Sequence, residues 1–63
     1  MIMLFPEFSE NKENTMILYF PAEDGDIRKI QDELEKTYVC FEKMSTAVKD
    51  GKKYVTMEIR DEN

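Results

Sequence analysis

Cys40 with Glu42, the tyrosines Tyr19 and Tyr54, and the acidic run Glu23-Asp24-Gly25-Asp26 are the groups whose types and spacing could do chemistry. Nucleophilic catalysis needs a Ser, Cys or Thr with a base in reach, and histidine, the usual base, is absent. Glu42 follows Cys40 by two residues, where strand alternation puts both on one face, but a carboxylate beside a thiol favours its unreactive neutral form. Cys40 therefore reads as a small, semi-buried apolar residue of a strand. One cysteine and no histidine also exclude an intramolecular disulfide and an ordinary zinc site.

The run from Glu23 to Asp26 resembles half of a calcium loop, which needs acids at alternating positions and a bidentate glutamate at the twelfth. Counted from Asp24, the fifth position is Arg28 and the twelfth, Glu35, falls inside a helix, so the pattern fails and helix capping explains these acids. Other carboxylates are abundant, but acid and base work requires a concave, desolvated site, and a sheet of this size with one helix has little room for one. The chain is expected not to be an enzyme and to need no cofactor or metal.

Tyr19, Tyr38, Phe41 and Tyr54 could stack bases on a sheet, as single-strand binders do, but such platforms also need a basic groove. Fourteen acids against nine bases give a net charge of −5, which repels phosphate backbones. Lys49, Lys52 and Lys53 form only a small basic tip. No direct nucleic-acid partner is expected, and the charge points to proteins. No stretch reaches the eighteen or more apolar residues of a membrane helix, so no membrane partner is expected either. The lone cysteine and the opening MIMLFPEF, which lacks a basic stretch and cleavage site, suggest a cytoplasmic protein.

The elements that must position these groups centre on Asp26 to Tyr38. Ile27, Ile30, Leu34 and Tyr38 recur at spacings of three and four, the apolar stripe of an α-helix. Its outer side carries Arg28, Lys29, Asp32, Glu33, Glu35 and Lys36, with Lys29–Glu33 and Asp32–Lys36 as candidate ion pairs. Asp24 or Asp26 is expected to cap its first N–H groups. Pro6 makes Ile2 to Phe8 an edge strand, Ser9 to Asn14 reads as a loop, and Thr15 to Phe20 is the strongest strand. Val39 to Val48 reads as a third strand, with a bulge near Glu42 and Lys43 reconciling two alternations. Asp50-Gly51 signals a type I′ turn, setting Met44 opposite Met57 and Lys43 opposite Glu58. Tyr54 to Arg60 alternates, with Val55, Met57 and Ile59 inward, and Asp61 to Asn63 is expected to fray.

Sixty-three residues make one domain. The expected fold is α+β: a β-β-α-β-β chain with a largely antiparallel four-stranded sheet and one helix across one face. A crossover making the second and third strands parallel is the alternative. Because the helix covers one face only, the second face needs other cover, which makes Ile17, Tyr19 and Tyr54 candidate partner anchors. Asp32, Glu33 and Glu35 form a candidate acidic contact surface able to imitate a nucleic acid. The element order and the acidic, cysteine-poor composition resemble, in type, the small inhibitor proteins that phages and mobile elements direct at host enzymes. That resemblance implies a protein-interaction module that inhibits or regulates a larger enzyme, and the acidic surface points to one that processes nucleic acid. The alternative is a homodimeric structural or accessory domain in which self-association supplies the cover.

Overall fold

A computed structural model describes residues 4 to 60. It contains β1 (Phe8–Lys12), β2 (Thr15–Pro21), a 3₁₀ turn (Asp24–Asp26), α1 (Ile27–Thr37), β3 (Lys43–Lys49) and β4 (Lys52–Arg60). The four strands form one antiparallel sheet in the order β1-β2-β4-β3. The expected α+β architecture is therefore present. β2 and β3 run in the same direction, as the crossover alternative required, but β4 lies between them and the sheet is not mixed.

β2 forms from a run of β-branched, aromatic and long apolar side chains and stops at Pro21, which lacks the N–H needed to continue a ladder. The register pairs Leu18 with Met57 and Phe20 with Val55, so these side chains share the face that meets α1. Phe20, Leu34, Val55 and Met57 are the fully buried centre there, with Ile27, Ile30, Tyr38 and Met44 packed around them. The predicted helical stripe thus lands on the sheet. Its last turn is closed by the Tyr38 N–H, which donates to the Leu34 carbonyl at 2.8 Å.

The β3–β4 hairpin has the expected register, Met44 opposite Met57 and Lys43 opposite Glu58. Asp50 at φ 53° and Gly51 at φ 77° supply the two positive dihedral angles of its two-residue turn. The Glu42 N–H donates to the Glu58 carbonyl at 2.7 Å, although Lys43 is the register partner of Glu58. Two consecutive residues thus address one, which is the geometry of the anticipated bulge.

Several local expectations need correction. The first strand is Phe8–Lys12, which shares only Phe8 with the strand expected from Ile2 and otherwise occupies the stretch expected to be a loop; the expected strand begins outside the described residues, and Leu4 to Glu7 are not strand. The connection to β2 shrinks to Glu13 and Asn14, with Asn14 at φ 59°. A polar sequence can form this strand because an edge strand needs pairing on one side only and exposes alternate side chains. β3 starts at Lys43, leaving Val39 and Cys40 exposed in the connection after α1. Cys40 is therefore not a semi-buried strand residue. Neither aspartate caps the helix: Asp26 occupies the N-cap position without a side-chain hydrogen bond, and Asp24 pairs with Lys53 instead. Among the described residues no ion pair involves α1, so Lys29–Glu33 and Asp32–Lys36 do not form. The expected fraying of Asp61 to Asn63 lies outside the described residues.

Candidate functional site

The sheet face turned away from α1 gathers the chain's most organised polar side chains. Alternation along β1 puts Phe8 and Glu10 on this face, and the register places Tyr19 opposite Phe8 and Ile17 opposite Glu10. From β4 come Tyr54 and Thr56, and from β3 Ser45, Ala47 and Lys49. Glu7 should point the other way by strict alternation. Its N–H, however, donates to the Tyr19 carbonyl at 2.7 Å while Phe8 is the register partner of Tyr19, a second two-against-one arrangement. Such an irregularity re-aims a side chain, and here it brings Glu7 and Phe8 to the same face.

An aromatic cluster forms the centre of the site. Phe8 stacks on Tyr19 with centroids 4.4 Å apart and planes 14° from parallel, and it meets Tyr54 edge-on at 5.4 Å. Tyr19 and Tyr54 meet edge-on at 5.8 Å. Offset stacking and edge contacts both suit the ring quadrupoles. Ile17, Tyr19 and Tyr54, the expected partner anchors, are therefore only 8%, 6% and 3% exposed. Phe8 and Ala47 pack against them, so the cover expected from another chain comes largely from within this one.

Two matching relays of side chains frame this cluster. The Tyr19 hydroxyl donates to Glu10 Oε1 at 2.6 Å, and Lys49 Nζ donates to Glu10 Oε2 at 2.8 Å. The Tyr54 hydroxyl donates to Glu7 Oε2 at 3.0 Å, and Lys52 Nζ donates to Glu7 Oε1 at 3.1 Å. Each carboxylate thus bridges one tyrosine and one lysine, using both oxygens. The Lys49 ammonium also lies 4.7 Å from the Tyr19 ring centroid and 5.4 Å from that of Phe8, within cation–π range. Beside them the Ser45 and Thr56 hydroxyls hydrogen-bond at 2.8 Å, which satisfies the buried threonine.

These contacts move the ionisations away from neutrality. Hydrogen bonds from Lys52 and Tyr54 hold Glu7 below the usual carboxylate range, and those from Lys49 and Tyr19 do the same for Glu10. Tyr19 is pushed up by its hydrogen bond to Glu10 and by burial, whereas for Tyr54 burial comes first and Glu7 second. Lys49 and Lys52 are raised by their carboxylate partners. A general acid or base works best with a pKa near the working pH, so this network offers no proton donor or acceptor suited to neutral pH. Nor are the tyrosine rings free to stack a base, since Phe8 occupies one and shields the other.

The remaining expected site residues lie on the other layer. Asp32 and Glu35 are exposed and Glu33 half-buried on α1, mixed with Arg28, Lys29 and Lys36 rather than forming a purely acidic strip. The structure does not bring them together with Ile17, Tyr19 and Tyr54. The basic hairpin tip is neutralised internally, because Lys49, Lys52 and Lys53 pair with Glu10, Glu7 and Asp24. A cleft of about 570 Å³ opens where the 3₁₀ turn meets this hairpin, lined in part by Ala22, Asp26, Ile30 and Lys53. Among the described residues no cluster of His, Cys, Asp and Glu could hold a metal ion, and no helix is long and apolar enough to cross a membrane. Sequence reasoning missed Phe8, Glu7 and Glu10 as parts of one site. The available signal was the alternation of Phe8 and Glu10, legible only once β1 is placed. No protein-family model, curated protein or solved structure matches this chain.

Proposed function

We propose that this chain is a small protein-interaction module that inhibits or regulates a larger enzyme and has no catalytic activity of its own. The observation that carries this reading is how charge is divided between the layers. Lys49, Lys52, Lys53 and Arg60 are consumed in ion pairs within the chain. On the helix side, Glu23, Asp26, Asp32, Glu33 and Glu35 stand against Arg28, Lys29 and Lys36, and none of these eight is in an ion pair among the described residues. Charge left uncommitted on an exposed surface favours rapid, selective encounter with a surface of opposite sign. The partner surface is therefore basic, as in an enzyme that handles nucleic acid. Ile17, Tyr19 and Tyr54 serve this reading as the rigid base beneath the site, because they are too covered to act as anchors.

Affinity capture of the tagged protein from lysate of its natural source, washed through a salt series, tests this reading. A stoichiometric larger enzyme should be recovered and should dissociate as salt rises. The triple charge reversal Asp32→Lys, Glu33→Lys and Glu35→Lys should weaken capture and flatten the salt dependence. Capture of the same enzyme with unchanged affinity and salt slope would remove the helix face from the interface.

A further inference from the structure

We propose that the free edge of β3 is the seam of a symmetric homodimer, in which two copies pair antiparallel about Thr46 and join their sheets into one of eight strands. β3 is an outer strand of the sheet, bonded to β4 on one side only. The pair flanking the two-residue turn, Lys49 and Lys52, starts a ladder in which Lys43, Ser45, Ala47 and Lys49 address β4. The Glu58 carbonyl pointing to β3 and the Lys53 carbonyl pointing to Ala22 beside β2 agree with that phase. Met44, Thr46 and Val48 therefore direct their backbone groups to the free edge.

The sequence of β3, KMSTAVK, is nearly symmetric about Thr46. Antiparallel self-pairing sets Thr46 against Thr46, Met44 against Val48 and Ser45 against Ala47. Threonine pairs and apolar pairs are favourable cross-strand neighbours. Val48 is 65% exposed in the single chain and gains an apolar neighbour in the pair.

The pairing also sets Lys43 against Lys49, and lysines at strand edges normally block such association. Here Lys49 is withdrawn from the edge. Its ammonium reaches over β4 to the Tyr19 ring on β2 and is held by Glu10 of β1. Two strand spacings of about 4.8 Å therefore separate that charge from the seam. The open-face network thus removes one of the two lysine guards of β3, leaving Lys43 without a like charge opposite it at either end of the seam, and the Lys49 stem leaves the edge backbone accessible. A second copy fits this edge because it supplies the same symmetric strand with its own Lys49 already held back. The seam leaves Asp32, Glu33 and Glu35 free, and its test needs no partner enzyme.

Sedimentation equilibrium on the isolated protein from about 1 µM to about 1 mM should show mass rising toward twice the 7.5 kDa of the chain. Hydrogen exchange should show the Met44, Thr46 and Val48 amides protected in proportion to the dimer fraction. Thr46→Pro removes an outward N–H that none of the four described strands uses, and should give a folded monomer. Glu10→Gln should raise the dissociation constant several-fold by letting Lys49 return to the edge, while Lys49→Gln should leave the dimer intact. A chain that stays at 7.5 kDa throughout, or a dimer whose Thr46 amide exchanges freely, overturns the proposal. A dimer that survives Thr46→Pro places the seam elsewhere and overturns it too. Equal dimerisation of wild type and Glu10→Gln overturns the role given to Lys49.

Discussion

Removing the Phe8 ring should cost a large share of the protein's stability, although the residue sits at the start of a polar edge strand. Truncating a fully buried phenylalanine to alanine costs about 3–5 kcal/mol. Phe8 is only partly buried, and halving that range gives about 2 kcal/mol. The ring also makes one stacked and one edge-on contact with tyrosines, and each such pair contributes about 0.5–1.5 kcal/mol beyond area burial. A loss of about 3 kcal/mol follows, set against a total of roughly 3–5 kcal/mol for a domain of this size. Urea unfolding of Phe8→Ala, followed by far-ultraviolet circular dichroism, should show a midpoint less than half that of wild type at similar slope. Phe8→Leu keeps the apolar cover and should lose about 1 kcal/mol, near the aromatic contribution alone. There is no tryptophan, and two of the three tyrosines, Tyr19 and Tyr54, lie on the open face, so tyrosine fluorescence reports chiefly on it. Iodide should quench Phe8→Ala more strongly than wild type under native conditions. A midpoint shift worth less than about 0.5 kcal/mol, typical of an ordinary surface position, would refute the view that Phe8 closes this face.

Other expectations follow from the same geometry. Glu7 and Glu10 are held below their ordinary value of 4.5, so their stabilisation is complete above that pH and is lost as pH falls through the folded values. The Glu7→Gln/Glu10→Gln double variant should therefore show a flatter decline of melting temperature in acid than wild type. Tyr19 and Tyr54 are raised above 10.0, so their contribution is complete below that pH and fades as pH rises through the folded values. Ultraviolet difference absorbance should show earlier phenol ionisation in Glu10→Gln and Glu7→Gln than in wild type. Leu34→Ala empties the centre of the helix–sheet core, where Leu34 is fully buried, and should cost about 2–5 kcal/mol by thermal unfolding. Gly51→Ala meets no atom within 4 Å, so its cost is the backbone penalty at φ 77°, about 1 kcal/mol by urea unfolding.

Local signals carried much of this fold. The helical stripe, the β-rich run from Thr15 and the Asp50-Gly51 turn each bring their own cause, and the turn alone fixed the register of Lys43 with Glu58 and Met44 with Met57. β1 was hidden because its sequence, FSENK, has no strand preference and becomes a strand only by pairing with β2. The open-face site was hidden for a related reason. Glu7 reaches Tyr54 and Lys52, which are distant in the chain, only after an irregular start to β1 turns it over. Lys49 and Glu10 lie on the two outermost strands, so their contact depends on the strand order, which no short window encodes. Ile17, Tyr19 and Tyr54 were legible as apolar residues off the helix face, while the residue that covers them was not.

The place of β4 also governs how the protein is made. A ribosome produces β1, β2, α1 and β3 before β4, yet β4 holds the centre of the sheet and joins the β1–β2 hairpin to β3. Until β4 leaves the exit tunnel, β3 has no strand to pair with and α1 lacks Val55 and Met57 to cover. The nascent chain is thus a hairpin followed by an uncommitted amphipathic segment, open to chaperones and proteases. Closure of the sheet therefore waits for β4, which lies between β2 and β3. A translation product that stops before β4 would lack the strand that joins β3 to the β1–β2 hairpin.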